Sequence, residues 1–137
     1  MPRKLVLPLA FLVVIPGLAT AADLLLIPGY YVSSDIPCSD ASNATLQLVT
    51  RHQFNWPQQA CAIAEVVLAT GTVYAVAIDC EETVDFAAER LNITLDIPDD
   101  QHYGLAFSGE TPARMRYCPQ SEMPEPWRSN DLSDLIR

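Results

Sequence analysis

Two histidines and two pairs of neighbouring acidic residues are the side chains best suited to acid–base or metal chemistry. His52 and His102 fall in predicted turns, and no histidine or cysteine has the spacing of a zinc site. In Glu81-Glu82 and Asp99-Asp100, adjacent side chains on a strand would point to opposite faces, and on a loop both would be solvated. No Gly-x-Ser-x-Gly segment positions a nucleophilic serine. The sequence therefore predicts no catalytic site, no metal site and no cofactor, and a protein that is not an enzyme.

Arg114, Arg116 and Tyr117 are the candidate binding residues. Apolar and basic residues alternate over 113–117, which predicts a strand with both arginines on its outer face. Two arginines side by side suit a carboxylate ligand. The alternative, which is commoner for exposed arginines, is that they balance nearby acidic residues.

Residues 1–21 have the features of a cleavable signal peptide. Arg3 and Lys4 precede an apolar run over 5–15, and small residues stand at Ala19 and Ala21 before the predicted cleavage point. The apolar run has 11 residues, whereas a membrane-spanning helix needs about 20. We therefore expect export to the periplasm or the medium, with no integral membrane segment after cleavage.

The chain has four cysteines, Cys38, Cys61, Cys80 and Cys118. In an oxidising compartment an even number indicates disulfides, and four cysteines allow three connectivities. If the apolar runs around residue 71 pair as a hairpin centred on Thr70-Gly71, opposed residues have numbers that sum to 141, as Cys61 and Cys80 do. This register predicts the Cys61–Cys80 disulfide and leaves Cys38 with Cys118.

The first run of that hairpin, residues 57–69, has a competing interpretation as a helix. It begins with a proline, ends before a glycine and carries apolar residues at helical spacing. The cysteine symmetry favours the hairpin. In the hairpin, the carboxylate of Glu65 would lie on the same face as Cys61, Ile63 and Val67.

Short runs of alternating apolar and polar residues cover most of the remaining chain. The alternation is unbroken over 91–97 and recurs over 103–107, whereas 83–90 fits a short helix as well as a strand. Further strands are predicted at 29–33, 44–50 and 113–117. The protein is predicted to be mainly β, a small antiparallel β-barrel or sandwich of six to eight strands with two disulfides and room for one short helix.

The domain organisation follows from these elements. Residues 22–118 form a single β-rich domain, which is of ordinary single-domain length. Residues 119–137 contain three prolines that interrupt regular structure, and they lie beyond the last cysteine. We predict that this segment is a loosely held C-terminal tail.

The net charge limits the kinds of molecule that the protein can bind. The full chain has 8 basic and 17 acidic residues, a net charge of −9. Removal of Arg3 and Lys4 with the signal peptide leaves 6 basic against 17 acidic residues, a net charge of −11. Such a surface excludes nucleic acid, whose binding depends on lysine and arginine, and favours a cationic protein as partner. Acidity also serves simply to keep an exported protein soluble.

Several of these motifs together resemble a group of small exported bacterial proteins of unknown function. They are Gly29-x-Tyr31-Val32, Cys38, Asn43-Ala44-x-Leu46, Cys61-x-Ile63, Gly71-x-x-Tyr74-x-Val76-x-x-x-Cys80 and Tyr117-Cys118-Pro119. That resemblance implies the β fold and the cysteine framework. At the level of fold class the chain is also similar to periplasmic inhibitors of C-type lysozyme, although Ser108-Gly109 is not followed by the tyrosine of their inhibitory loop.

Three functions follow as hypotheses. The leading one is an exported acidic binding module without catalytic activity, which inhibits a cationic hydrolase. The alternative is a structural or assembly component of the cell envelope, whose tail docks on a membrane-bound partner through Trp127, Leu132, Leu135 and Ile136. An enzyme with dispersed site residues is the third.

Overall fold

The computed structural model describes residues 23–136, so the predicted signal peptide, residues 1–21, lies outside the described residues. These residues form eight strands and three single-turn 3-10 helices. The strands are β1 (Gly29–Ser33), β2 (Leu46–Val49), β3 (Phe54–Asn55), β4 (Cys61–Thr70), β5 (Val73–Cys80), β6 (Glu89–Asp99), β7 (His102–Phe107) and β8 (Ala113–Cys118). The 3-10 helices are Cys38–Asp40, Gln120–Glu122 and Trp127–Ser129.

The sheet curls into a nearly closed antiparallel barrel. Its strand order is β3-β2-β1-β8-β7-β6-β5-β4, so β8 pairs with β1, and every other pairing joins consecutive strands. The remaining seam lies between β3 and β4, where Gln53 opposes Ala62 and the Ile63 N–H donates to the His52 carbonyl at 2.8 Å. The prediction of a small antiparallel β-barrel with six to eight strands is confirmed.

Residues 61–70 form a strand, so the helical interpretation of 57–69 is wrong. The hairpin turns on Gly71-Thr72, and Gly71 has the positive φ of 55° that the first position of a type II′ turn requires. Thr70 therefore opposes Val73, whereas the predicted register would place Thr70 opposite Gly71. β4 has one extra residue between 68 and 70 and another between 63 and 65. Each of these shifts moves the pairing by one residue, so at the start of β4 the predicted register is restored and Cys61 opposes Cys80.

The irregularity between Ile63 and Glu65 also corrects the face predicted for Glu65. Because the extra residue reverses the alternation, Val66 is buried, whereas Glu65 and Val67 are exposed. The Glu65 carboxylate therefore needs no buried partner.

Apolar side chains fill the barrel interior. Ile93, Leu95 and Ile97 point inward from β6, as the alternation predicts. The rings of Tyr31 and Tyr103 pack at 5.1 Å between centroids. The Tyr103 hydroxyl donates to Oε1 of the buried Gln47, and burial raises the pKa of Tyr103 well above its usual value. The hydroxyl therefore stays protonated and acts as a donor inside the barrel.

A second apolar cluster lies outside the barrel, on β1 and β8. Met123 (1 % exposed) and Leu132 (7 % exposed) belong to the same cluster as Tyr30 of β1, and Asn130 Nδ2 donates to the Tyr30 hydroxyl at 3.0 Å. The cluster also holds the Cys38–Cys118 disulfide. The segment expected to be a loosely held tail thus contributes two buried side chains to the fold.

Candidate functional site

One end of the barrel carries the candidate site. Because each strand is antiparallel to the next, the loops 34–45, 56–60, 81–88 and 108–112 all lie at the same end, which we call the barrel mouth. A cavity of about 260 Å³ lies between the first three of these loops and the adjoining ends of β6 and β7. It is lined by Asn43, Trp56, Pro57, Gln58, Gln59, Phe86, Glu89, Leu91 and Phe107. Barrel mouths are recurrent ligand sites because side chains from several loops converge there.

The floor of the cavity continues the barrel core. Leu91 and Phe107 lie near the mouth on the inward-facing rows of β6 and β7, and both pack on the buried core. Further inside the barrel, Phe54 is fully buried, with its ring 5.3 Å from that of Tyr103. A ligand at the mouth therefore meets packed aromatic side chains on the side of the barrel core.

Trp56 and Phe86 stand on two loops that are tied together. Trp56 follows β3, packs on Phe54 at 6.2 Å and exchanges two backbone hydrogen bonds with Gln59. Phe86 lies in a turn closed by the Thr83 N–H, which donates to the Phe86 carbonyl at 2.8 Å. Gln59 Nε2 donates to the Glu81 carbonyl at 3.0 Å, which joins the two loops.

The Cys61–Cys80 disulfide braces the same end of the barrel. Cys61 begins β4 directly after the loop with Trp56, and Cys80 ends β5 directly before the loop with Phe86. Both cysteines are buried. The two loops therefore start from covalently joined strands, which holds the aromatic walls on a rigid base.

The barrel mouth is strongly acidic. Glu89 lines the cavity, and Glu81, Glu82 and Asp85 are exposed on the adjoining loop. The neighbouring cation, Arg90, lies 3.5 Å from the Asp79 carboxylate, which offsets its charge. An aromatic cavity with a carboxylate in its wall is suited to an organic cation, because ring faces and carboxylates both attract positive charge.

The binding residues predicted from sequence lie away from this site and do not converge. Arg116 donates to Cys38 Sγ at 3.0 Å and to the Ile36 carbonyl at 2.6 Å, so it holds the loop before β2 against β8. Tyr117 packs against Gly29, where φ is 149° and a Cβ would lie 2.8 Å from the tyrosine ring. Arg114 is exposed on the outer face of β8, as predicted.

Sequence reasoning missed Trp56, Phe86 and Phe107 as a set. The sequence pattern did not group them, because Trp56 precedes the ambiguous run 57–69, Phe86 lies within 83–90 and Phe107 ends the predicted strand 103–107. Of the tail residues assigned to docking, Leu132 is buried and Trp127 is half-buried, whereas Leu135 and Ile136 are exposed.

His102 and Asp99 form an exposed pair at the opposite end of the barrel. His102 Nδ1 lies 2.8 Å from Asp99 Oδ1. This hydrogen bond, with a second one from the Gln101 N–H, lowers the pKa of the Asp99 carboxyl. Within residues 23–136 no group of three or more histidine, cysteine, aspartate or glutamate side chains is arranged to hold a metal ion.

We expect the Asp99 carboxyl to titrate below its usual value, and His102→Phe to raise its pKa towards that value. Because the folded-state pKa is the lower one, the pair stabilises the fold above the unfolded-state pKa, and this contribution is lost as pH falls through the folded-state pKa. Carboxyl-carbon NMR titrations of the unmodified protein and of His102→Phe measure the shift. The opposite result, an Asp99 pKa that is unchanged in His102→Phe, would show that the imidazole does not cause it.

No protein-family model matches this sequence, and neither the curated proteins nor the solved structures contain a match to it. In the described part of the chain, no helix has the length and apolar character needed to cross a membrane.

Proposed function

We propose that this protein is an exported acidic binding module without catalytic activity, which binds a cationic protein at the barrel mouth and inhibits a basic hydrolase. The observation that carries the proposal is the aromatic cavity with Glu89 in its wall and Glu81, Glu82 and Asp85 on the adjoining loop. Two disulfides, Cys38–Cys118 and Cys61–Cys80, are compatible with an oxidising compartment.

Charge and shape support this function together. A net charge of −11 after signal cleavage attracts cationic proteins over a range of about 10 Å at 0.1 M salt. Long-range attraction does not by itself select a binding surface. The cavity at the mouth adds one concave, partly apolar place where a partner side chain can be desolvated, which is typical of the energetic centre of an interface.

The test is binding to basic hydrolases, with a C-type lysozyme, a pancreatic-type ribonuclease and a trypsin-type protease as probes. We expect the module to bind and inhibit at least one of them, more weakly as salt is raised. The triple variant Glu81→Gln/Glu82→Gln/Asp85→Asn should weaken binding roughly tenfold, because three exposed ion pairs at about 0.5 kcal/mol each give that factor. Interferometry and hydrolase assays measure the two effects.

A charge-matched control separates the mouth from the overall charge. Asp100→Asn/Glu122→Gln/Asp134→Asn removes the same three charges from exposed positions outside the mouth. We expect this variant to bind almost as tightly as the unmodified protein. Equal weakening by both triple variants would mean that overall charge, and not the mouth, is responsible, and the absence of any bound hydrolase would refute the proposal.

A further inference from the structure

The wall of the mouth cavity has the composition of a site for one long cationic side chain. Trp56 and Phe86 offer aromatic rings, and Leu91 with Phe107 forms an apolar floor. The polar wall consists of Asn43, Gln58, Gln59 and Glu89. An aliphatic stem with a charged head matches both parts, because the stem packs on the floor while the head meets the ring faces and the carboxylate.

We propose that the cavity receives a single arginine or lysine side chain from the cationic partner, held between Trp56, Phe86 and the Glu89 carboxylate. This inference rests on the proposed function and names the group that enters the site. The partner's remaining basic residues then face Glu81, Glu82 and Asp85 on the adjoining loop.

The size of the cavity selects a side chain over a larger ligand. Its volume is about 260 Å³, and Trp56 in its wall packs on the fully buried ring of Phe54 at 6.2 Å. A folded element of a partner is too large to enter such a space. A side chain presented at the tip of a loop is therefore the group that fits.

The electrostatic surroundings select a cation over a neutral group. The carboxylate of Glu89 lines the cavity, whereas the guanidinium of Arg90 lies beside the Asp79 carboxylate on the paired strand. Among residues 23–136, no arginine lines the cavity. A neutral side chain would leave Glu89 without compensation on binding, while an arginine or a lysine supplies the opposite charge as the site is desolvated.

The two tryptophans of the chain allow a direct test. In Trp127→Phe the fluorescence reports Trp56 alone. We expect N-acetyl-arginine amide to change this fluorescence with a Kd on the order of 10 mM. N-acetyl-citrulline amide has nearly the same shape without the charge, and it should bind at least tenfold more weakly. Equal binding of the two probes would overturn the inference.

Variants at the cavity wall locate the site. Glu89→Gln and Phe86→Leu, each in the Trp127→Phe background, should each weaken binding of the arginine probe about twofold to fivefold, because each removes one attraction to the charged head. Phe86 is 43 % exposed, so its replacement does not disturb the core. Glu122→Gln removes one charge from the C-terminal segment and serves as the matched control. Binding that is unchanged in both wall variants contradicts the inference.

The two proposals fail in different ways. A hydrolase that binds through the acidic loop, together with an arginine probe that does not bind, leaves the proposed function standing and removes the side-chain site. An arginine probe that binds at the wall, without any retained hydrolase, supports the side-chain site and removes the hydrolase as partner.

Discussion

Replacing Cys38 and Cys118 together by alanine should lower the free energy of unfolding by roughly 4.5 kcal/mol. The two cysteines are 80 residues apart, and closing so long a loop removes much of the conformational freedom of the unfolded chain. The replacement also removes the sulfur acceptors of Arg116. Urea denaturation monitored by circular dichroism measures the loss, which is large beside the total stability of a small domain.

The region that is destabilised distinguishes the Cys38–Cys118 disulfide from the Cys61–Cys80 disulfide. Cys38–Cys118 lies in the outer cluster with Met123 and Leu132, so its removal should speed amide hydrogen exchange over 119–136. The control, Cys61→Ala/Cys80→Ala, removes a disulfide that spans only 19 residues at the other end of the barrel, and it should leave exchange over 119–136 nearly unchanged. A Cys38→Ala/Cys118→Ala variant that unfolds at the same urea concentration as the unmodified protein would contradict the expected role.

Phe54→Ala should lower the free energy of unfolding by about 3–5 kcal/mol. Phe54 is fully buried and packs on Tyr103 and Trp56, so its ring joins the core to the site. It also belongs to β3, which has only two residues and borders the seam of the barrel. Little else at that position compensates for the lost ring. Thermal and urea unfolding of the variant measure the effect.

Two control variants test whether burial is the cause. Phe54→Leu keeps an apolar side chain and should cost less than about 1.5 kcal/mol. Phe86→Ala removes an aromatic ring from the same end of the barrel, but this ring is exposed, so we expect a change within about 0.5 kcal/mol. If Phe54→Ala cost no more than Phe86→Ala, the packing role of Phe54 at the seam would be wrong.

The alternation of apolar and polar residues was sufficient to predict most of the strands. The alternation over 91–97 placed Ile93, Leu95 and Ile97 on one face, and all three are in the barrel core. A period of two is a property of the extended backbone and does not depend on which strand lies alongside. Over 57–69 the apolar residues fit both a helix and a strand, so the local pattern did not distinguish the two structures. Residues 61–70 form a strand because they pair with β5.

In the hairpin of β4 and β5, the predicted cysteine pairing is correct although the predicted turn position is not. Cys61 does oppose Cys80, but the turn lies at Gly71-Thr72 and two register shifts restore the predicted sum. The position of an extra residue depends on the partner strand and on barrel curvature, which a single run of sequence does not contain. Glu65 was therefore placed on the wrong face, while the disulfide was placed correctly.

The acidic charge and the alternating strands follow directly from the sequence, and the symmetry around residue 71 predicts the pairing of the four cysteines. Only the tertiary structure brought Trp56, Phe86 and Phe107 to one cavity, turned Arg116 towards the Cys38–Cys118 disulfide and buried Met123 against β1. Charge and alternation are local properties that each residue carries into any fold. The cavity and the outer cluster consist of contacts between residues far apart in the chain, and those contacts exist only because closure of the barrel brings the strands and loops together.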